Sequence, residues 1–392
     1  MIGGALWRGV RIKIALATVF LGPSMMIALQ MSGKSFQHYY DVGTDYGLSL
    51  MILAVMVLVF KLALVDGLAR YTLYRKDSVF SSLPDIPGPS NWAVWAVVAV
   101  YTLELAIYSS LALKAGTSLT ELFSWEIPVE ILALAIVSVI LVFILLRSRS
   151  MMEKAVYSII AVVTVLLLYC AAASLVGSGG SEVQNLFVRL PVDVVYLAGS
   201  GSGLSLLLYS IWLSDKAKNV NSGDDYRTEL SKVRWSLGIS FFLTGVITIL
   251  ILIIGRISSP DQSSTIASLI LLCTAVLMSG MVMVGMDGRA RAVGKMLRQT
   301  GASRMKREQS YRVLILLSFF IIVTALLIGT PFGGLALVSA VSSAMFAMSG
   351  FALIYIDEIC LPMPKGVLYG HQWRLLEARS SSRSPCWRKR RC

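Results

Sequence analysis

The chain has 392 residues, 56% of them hydrophobic and 15% charged, with a net charge of +13. A soluble domain carries roughly 25% charged residues, so a soluble fold of this composition is excluded. The basic residues are spread over loops rather than gathered in one patch, which points to a membrane surface and away from nucleic acid.

Ten apolar segments follow one another, at about 12–31, 47–69, 92–113, 127–146, 155–176, 194–213, 236–255, 264–286, 313–329 and 335–356. Each is near the ~20 residues that a helix needs to cross a bilayer. The stretch from Met1 to Ile14 carries Arg8, Arg11 and Lys13 before the apolar run. It resembles a signal sequence but no small-residue cleavage site follows, so it reads as the start of the first membrane helix. Pro84–Pro89, Gly177–Gly180, Pro260 and Thr330–Gly334 sit between segments, where helices should stop.

Orientation follows from the Lys/Arg bias. With the N-terminus in the cytoplasm, thirty of the 35 basic residues fall on cytoplasmic segments, including eight between Arg289 and Arg312 and eight from Lys365 onward. Lys114, Arg189 and Arg256 fall outside, and Lys34 and Lys61 lie within or beside apolar segments. The expectation is a multi-pass protein of the plasma membrane with both termini cytoplasmic. The five cysteines show no disulfide or zinc spacing.

Two segments are interrupted. The first runs into Ser32-Gly33-Lys34-Ser35, and the sixth contains Gly199-Ser-Gly201-Ser202-Gly203. Glycine is a poor helix interior, and unwound backbone at membrane depth is tolerated only where it lines a cavity or is buried in protein. Interruptions in segments one and six of ten predict two five-helix inverted repeats whose first helices are discontinuous, the LeuT-type arrangement. The predicted fold class is therefore an all-α membrane protein: a first repeat over 12–176, a second over 194–357, and a basic tail over 358–392. The competing reading is that these small residues simply let helices pack closely.

Gly22-Pro23, the break at Ser32–Ser35 and the turn Gly43-Thr-Asp-Tyr-Gly47 fall in one order and spacing. Glu104, Ile127-Pro128, Glu153-Lys154 and the stretch from Tyr209 to Lys216 continue it. Together these resemble the Nramp family of proton-coupled divalent metal transporters, over about residues 20–330. The resemblance implies a transport scaffold with a site between helices one and six. It also implies departures: the family's metal-binding Asp and Asn fall on Ser32 and Ser35, and its Met-Pro-His falls on Ser202-Gly203-Leu204. Its proton-transfer aspartate falls near Leu111. No carboxylate, thioether or imidazole then remains at the ligand positions, and serine hydroxyls with carbonyls make a weak transition-metal site.

Candidate substrate-binding residues are Ser32, Gly33, Lys34, Ser35, Gly201, Ser202 and Ser205, with His38, Asp41 and Glu104 as a proton or ion pathway. A lysine at membrane depth costs several kcal/mol unless paired or hydrated, so Lys34 reads as a tethered cation in the site or as a snorkelling side chain. Lys34, His38, Asp41 and Asp45 share one face of a helix, as a relay or a solvated surface. Glu104 is an intramembrane acid, functional by default or paired for packing. Lys61 and Asp66 read as an ion pair at a helix end, and the methionines around Met281 as packing. No cofactor, resident metal or enzymatic nucleophile–base pair is implied, and no Walker motif is present. The expected partners are membrane lipid and a transported ion or small solute. The alternatives are an ordinary divalent metal transporter using Asp41, Glu104 and carbonyls, and a non-transporting membrane scaffold.

Overall fold

The computed structural model describes residues 2–86, 88–89, 91–146, 148–177, 203–218, 226–257, 264–302 and 305–329. These residues are helical almost throughout: α1 (Ile2–Arg75), α2 (Trp92–Phe123), α3 (Val129–Leu146), α4 (Arg149–Gly177), α5 (Gly203–Ala217), α6 (Tyr226–Ile257), α7 (Ser264–Gln299) and α8 (Arg307–Leu327). A short 3-10 helix, Val79–Asp85, follows α1. In hydrocarbon every backbone N–H and C=O must be satisfied internally, and apolar runs of this length do so as helices. Seven helical stretches among the described residues are long and apolar enough to cross a membrane. Predicted segments three to five and seven to nine correspond to α2, α3, α4, α6, α7 and α8, and segment six to α5. Segment ten and the tail lie outside the described residues.

Segments one and two fall within one assigned helix, α1. It is not straight. The Ser236 hydroxyl donates to the Phe20 carbonyl at 2.9 Å and lies 2.6 Å from the Ser24 hydroxyl, while Arg234, two residues away, donates to Asp66 at 2.8 Å. Along a straight helix Ser24 and Asp66 would stand roughly 63 Å apart. The chain therefore doubles back between them, so that both limbs of α1 flank α6.

The unwinding expected at Ser32–Ser35 is absent, because the backbone there is helical. Gly33 instead allows a close approach: a Cβ at this position would collide with the Met281 side chain of α7. Close packing through a small residue, the competing reading, describes this position. The matching stretch Gly199–Ser202 lies outside the described residues, and α5 begins at Gly203.

Side-chain placement suits a lipid solvent. Phe60, Val139, Leu146, Val165, Phe242 and Phe320 point outward, while Ser24, Gln30, Ser32, Ser205, Ser236, Ser240 and Thr244 are buried. On α6, Ser240, Thr244 and Thr248 each return a hydrogen bond to the carbonyl four residues back. That leaves a stripe of small side chains able to pack tightly without an unsatisfied hydroxyl.

Candidate functional site

A deeply buried polar cluster lies where α1, α2, α5 and α7 meet. Arg289, on α7, is fully buried. Its guanidinium donates to Glu104 of α2 through Nη2 and, at 3.1 Å, through Nε. Nη1 donates to the Tyr108 hydroxyl at 2.8 Å and to the Gly285 carbonyl at 3.2 Å, and Nη2 reaches the Ser205 hydroxyl of α5 at 3.2 Å. The Tyr108 ring lies under the guanidinium, 4.5 Å from its carbon, and the Tyr101 ring is 5.5 Å away. A planar cation with five donors suits such enclosure because it is weakly hydrated and can stack on aromatic faces.

The network continues to α1. Tyr108 donates to the Gln30 side-chain carbonyl at 2.9 Å, and the Gln30 amide donates to the Met281 carbonyl at 2.9 Å. Local sequence explains the approach. Gly285 sits where the Tyr108 ring lies, and any Cβ there would strike the ring. The i, i+4 spacing of Gly285 and Arg289 then puts the arginine beside the slot that the glycine opens. One buried oxygen of this network remains without a hydrogen-bond partner, Glu104 Oε1; Ser32 Oγ, on α1 two residues beyond Gln30, is likewise buried and unpartnered. An unpartnered polar atom in an enclosed site costs ~1–3 kcal/mol, so both mark places where a water or a solute would be stabilised.

The structure thus joins two of the sequence candidates, Glu104 and Ser205, through a residue that sequence reasoning places elsewhere. The Lys/Arg bias assigns Arg289 to a basic cytoplasmic loop starting at that residue, but α7 continues to Gln299 and Arg289 is inside the bundle. The available signal is the length of the helical pattern: Asp287, Arg289 and Arg291 alternate, and alternate residues on a helix point about 200° apart. Gln30 and Tyr108 escape sequence reasoning because neutral polar residues give no such signal. Ser32 is buried and lies on the same limb of α1 as Gln30, and Gly33 packs on Met281. Lys34, Ser35, His38 and Asp41 lie on the helical backbone of α1 with side chains outside the described ones. Gly201 and Ser202 lie outside the described residues.

A second set of charges gathers at the end of the bundle that holds the start of α4, the ends of α5 and α7 and the start of α8. Asp287 accepts from Arg291 at 2.8 Å, from Tyr311 at 2.6 Å and from the Trp212 indole at 3.3 Å. Asp215 accepts from Arg149 at 2.6 Å and from Arg307 at 2.8 Å. Glu153 pairs with Lys216 at 2.9 Å and Arg149 at 3.3 Å. It also presses on Gly22, where a Cβ would collide with the carboxylate. Asp66 takes Arg70 and Arg234 as its partners in place of the predicted Lys61. Arg234 reaches it because α1 folds back against α6, and Arg70 lies one helical turn along. Asp77 pairs with Lys295. Burial alone would raise the Asp77 carboxyl, but the hydrogen bond and charge of Lys295, with help from the Ser78 N–H and Lys218, hold it below the usual value.

Among the described residues no three His, Cys, Asp or Glu side chains gather as a metal site.

The sequence matches no family model and no curated protein. Solved structures do match. A mutant form of the manganese transporter of Eremococcus coleocola superposes with a TM-score of 0.69 at 16% identity, covering 93% of this chain and 84% of that one. Mhp1, a nucleobase-cation-symport-1 family transporter with bromovinylhydantoin bound, gives 0.64 at 11% identity over 90% of this chain and 81% of that one. MhsT in complex with L-phenylalanine gives 0.55 at 14% identity over 85% and 88%. The chain is a multi-pass helical membrane protein with the LeuT-type fold of these structures.

Proposed function

We propose that this protein is a secondary transporter of Nramp-like fold that carries an ion or small solute, with a site altered from that of the divalent metal carriers. The observation that carries the reading is the buried ionic network on α1, α2, α5 and α7. A guanidinium and a carboxylate inside a lipid-embedded bundle are costly to keep and mark solute or ion pathways. The three solved structures described above are transporters by name or hold a small-molecule ligand.

In this reading ten helices form two five-helix repeats over 12–176 and 194–357, followed by the 358–392 tail, with both termini cytoplasmic. Ser32, Lys34, Ser35, Gly201, Ser202 and Ser205 line the solute path, Gly33 packs behind them on Met281, and His38, Asp41 and Glu104 serve proton or ion movement. Ser32, with its unpartnered hydroxyl, is the residue that the buried geometry favours most. Arg289 holds Glu104 and Ser205 together and acts as a tethered cation on that path, the role expected of Lys34.

The likeness to a manganese transporter favours a second reading, ordinary divalent metal transport through Asp41, Glu104 and carbonyls. Pairing of Glu104 with Arg289 weighs against it, since a dication would face a fixed cation at close range.

Uptake into proteoliposomes tests both. A panel of amino acids, nucleobases, monovalent cations, manganese and iron is offered with and without an inward proton gradient. The expected result is saturable uptake of one non-metal or monovalent solute, lost in Arg289→Met. Tight, saturable manganese uptake by the unmodified chain would overturn the altered-site reading. Failure across the whole panel would favour a scaffold. Single cysteines at Ser181 and Ser303 should label from outside and inside respectively, and the reverse would sink the orientation.

A further inference from the structure

The charged end of the bundle holds a half-open cavity of about 630 Å³ that the transport reading does not use. It lies between the end of α5, the last turns of α7 and the start of α8. Five basic side chains line it: Lys218, Arg291, Lys295, Arg298 and Arg307. The acids on its wall are Asp215 and Glu308.

Those cations are not equally occupied. Arg291 is held by Asp287, Lys295 by Asp77, and Arg307 by Asp215. Asp215 is already shared with Arg149, and Glu308 is taken by Arg312 at 2.6 Å. Lys218 stands 4.0 Å from Asp77, a carboxylate that Lys295 already holds. Arg298 has no carboxylate within ion-pair distance among the described residues, and its charged neighbour is Arg307. Two cations therefore face the cavity with charge to spare.

The first turn of α8 adds to this. Arg307 and Glu308 on the wall belong to that turn, and the residue before it, Lys306, supplies no side-chain cap. An uncapped helix N-terminus presents free N–H groups and the positive end of the helix dipole. Guanidinium, ammonium and backbone N–H are the donors that recognise phosphate. The volume falls in the range of small-molecule sites and is larger than a bare ion needs.

We propose that this cavity binds a phosphate group, through Arg298, Lys218 and the first turn of α8. The group belongs either to a soluble phosphate or to the headgroup of an anionic lipid from the adjoining leaflet. The site is independent of the central network, so it stands or falls apart from the transport reading.

The test uses the full-length protein, purified in detergent and also placed in nanodiscs. One arm titrates inorganic phosphate against chloride at equal ionic strength. The other compares nanodiscs of phosphatidylcholine with and without phosphatidic acid, with bound lipid counted by native mass spectrometry. Wild type should show saturable binding in at least one arm. R298Q combined with K218Q should weaken it at least tenfold, while R298K, which keeps a point charge for the phosphate, stays within about threefold. Both altered side chains are partly exposed, so folding should survive, and size-exclusion behaviour checks that. Response to inorganic phosphate assigns the soluble source, and response to phosphatidic acid alone assigns the lipid. No saturable binding in either arm, an effect that chloride matches, or equal binding by the double variant would overturn the proposal.

Discussion

Arg289 and Arg291 sit two residues apart on α7 and live in different media. The Arg289 side chain is 0% exposed, and its carboxylate partner Glu104 is 6% exposed. Arg291 is 19% exposed and sits in a web of acids and bases that reaches the surface through Arg307, which is 64% exposed. Ion pairs of similar geometry therefore differ in consequence. In the enclosed pair each charge depends on its partner, because bulk solvent does not reach it. At the charged end neighbours and solvent share the load, and losing one partner leaves alternatives.

The largest expected effect tests the enclosed pair. Arg289→Met leaves Glu104 buried without its cation, and should destabilise the fold by about 3–5 kcal/mol. The combined change Arg289→Met with Glu104→Gln should recover much of that loss. Thermal unfolding of the four proteins in nanodiscs gives the double-mutant cycle, and simple additivity would show that the two side chains do not act as a unit.

Packing sharpens the same contrast. Gly285→Ala puts a methyl into the Tyr108 ring that supports Arg289, and should cost about 1–3 kcal/mol. Gly67→Ala, where nothing lies within 4 Å of the new Cβ, should be neutral or slightly stabilising. Equal melting points for the two variants would contradict the close approach of α2 and α7.

At the charged end, Arg307→Gln should change stability by about 1 kcal/mol or less, and its effect should fade as salt rises. A loss as large as that of Arg289→Met would erase the distinction between the two regions.

The smallest effect is one of pH. Asp77 has a depressed folded pKa, so its contribution is present above the unfolded value of about 3.9 and is lost as pH falls through it toward the folded value. Asp77 is 35% exposed, and solvent screening limits the pair to at most about 1 kcal/mol. The stability gap between wild type and Asp77→Asn should therefore stay constant from pH 7 to 5 and shrink below about pH 4. A gap that changes between pH 7 and 5 would point to another titrating group.

Much of this architecture is legible in the chain. Length and apolarity of the segments dictate helices in a membrane, because hydrocarbon leaves the backbone no other partner than itself. Glu104 stands out since a lone acid in an apolar run has few inexpensive explanations. Its partner does not, because Arg289 lies 185 residues away and no local pattern links the two. Gly33 misleads for a related reason. A glycine that unwinds a helix and a glycine that admits Met281 look alike until the neighbouring helix is in place.

The sequence by itself determined the solvent, the helical content and the stock of charges that need partners. All three follow from residue type and spacing along one chain. Only the tertiary structure decided which charges meet. Folding α1 back brings Asp66 to Arg234, and the crossing of α2 with α7 brings Glu104 to Arg289. Such pairings depend on distances between helices, and local sequence does not set those distances.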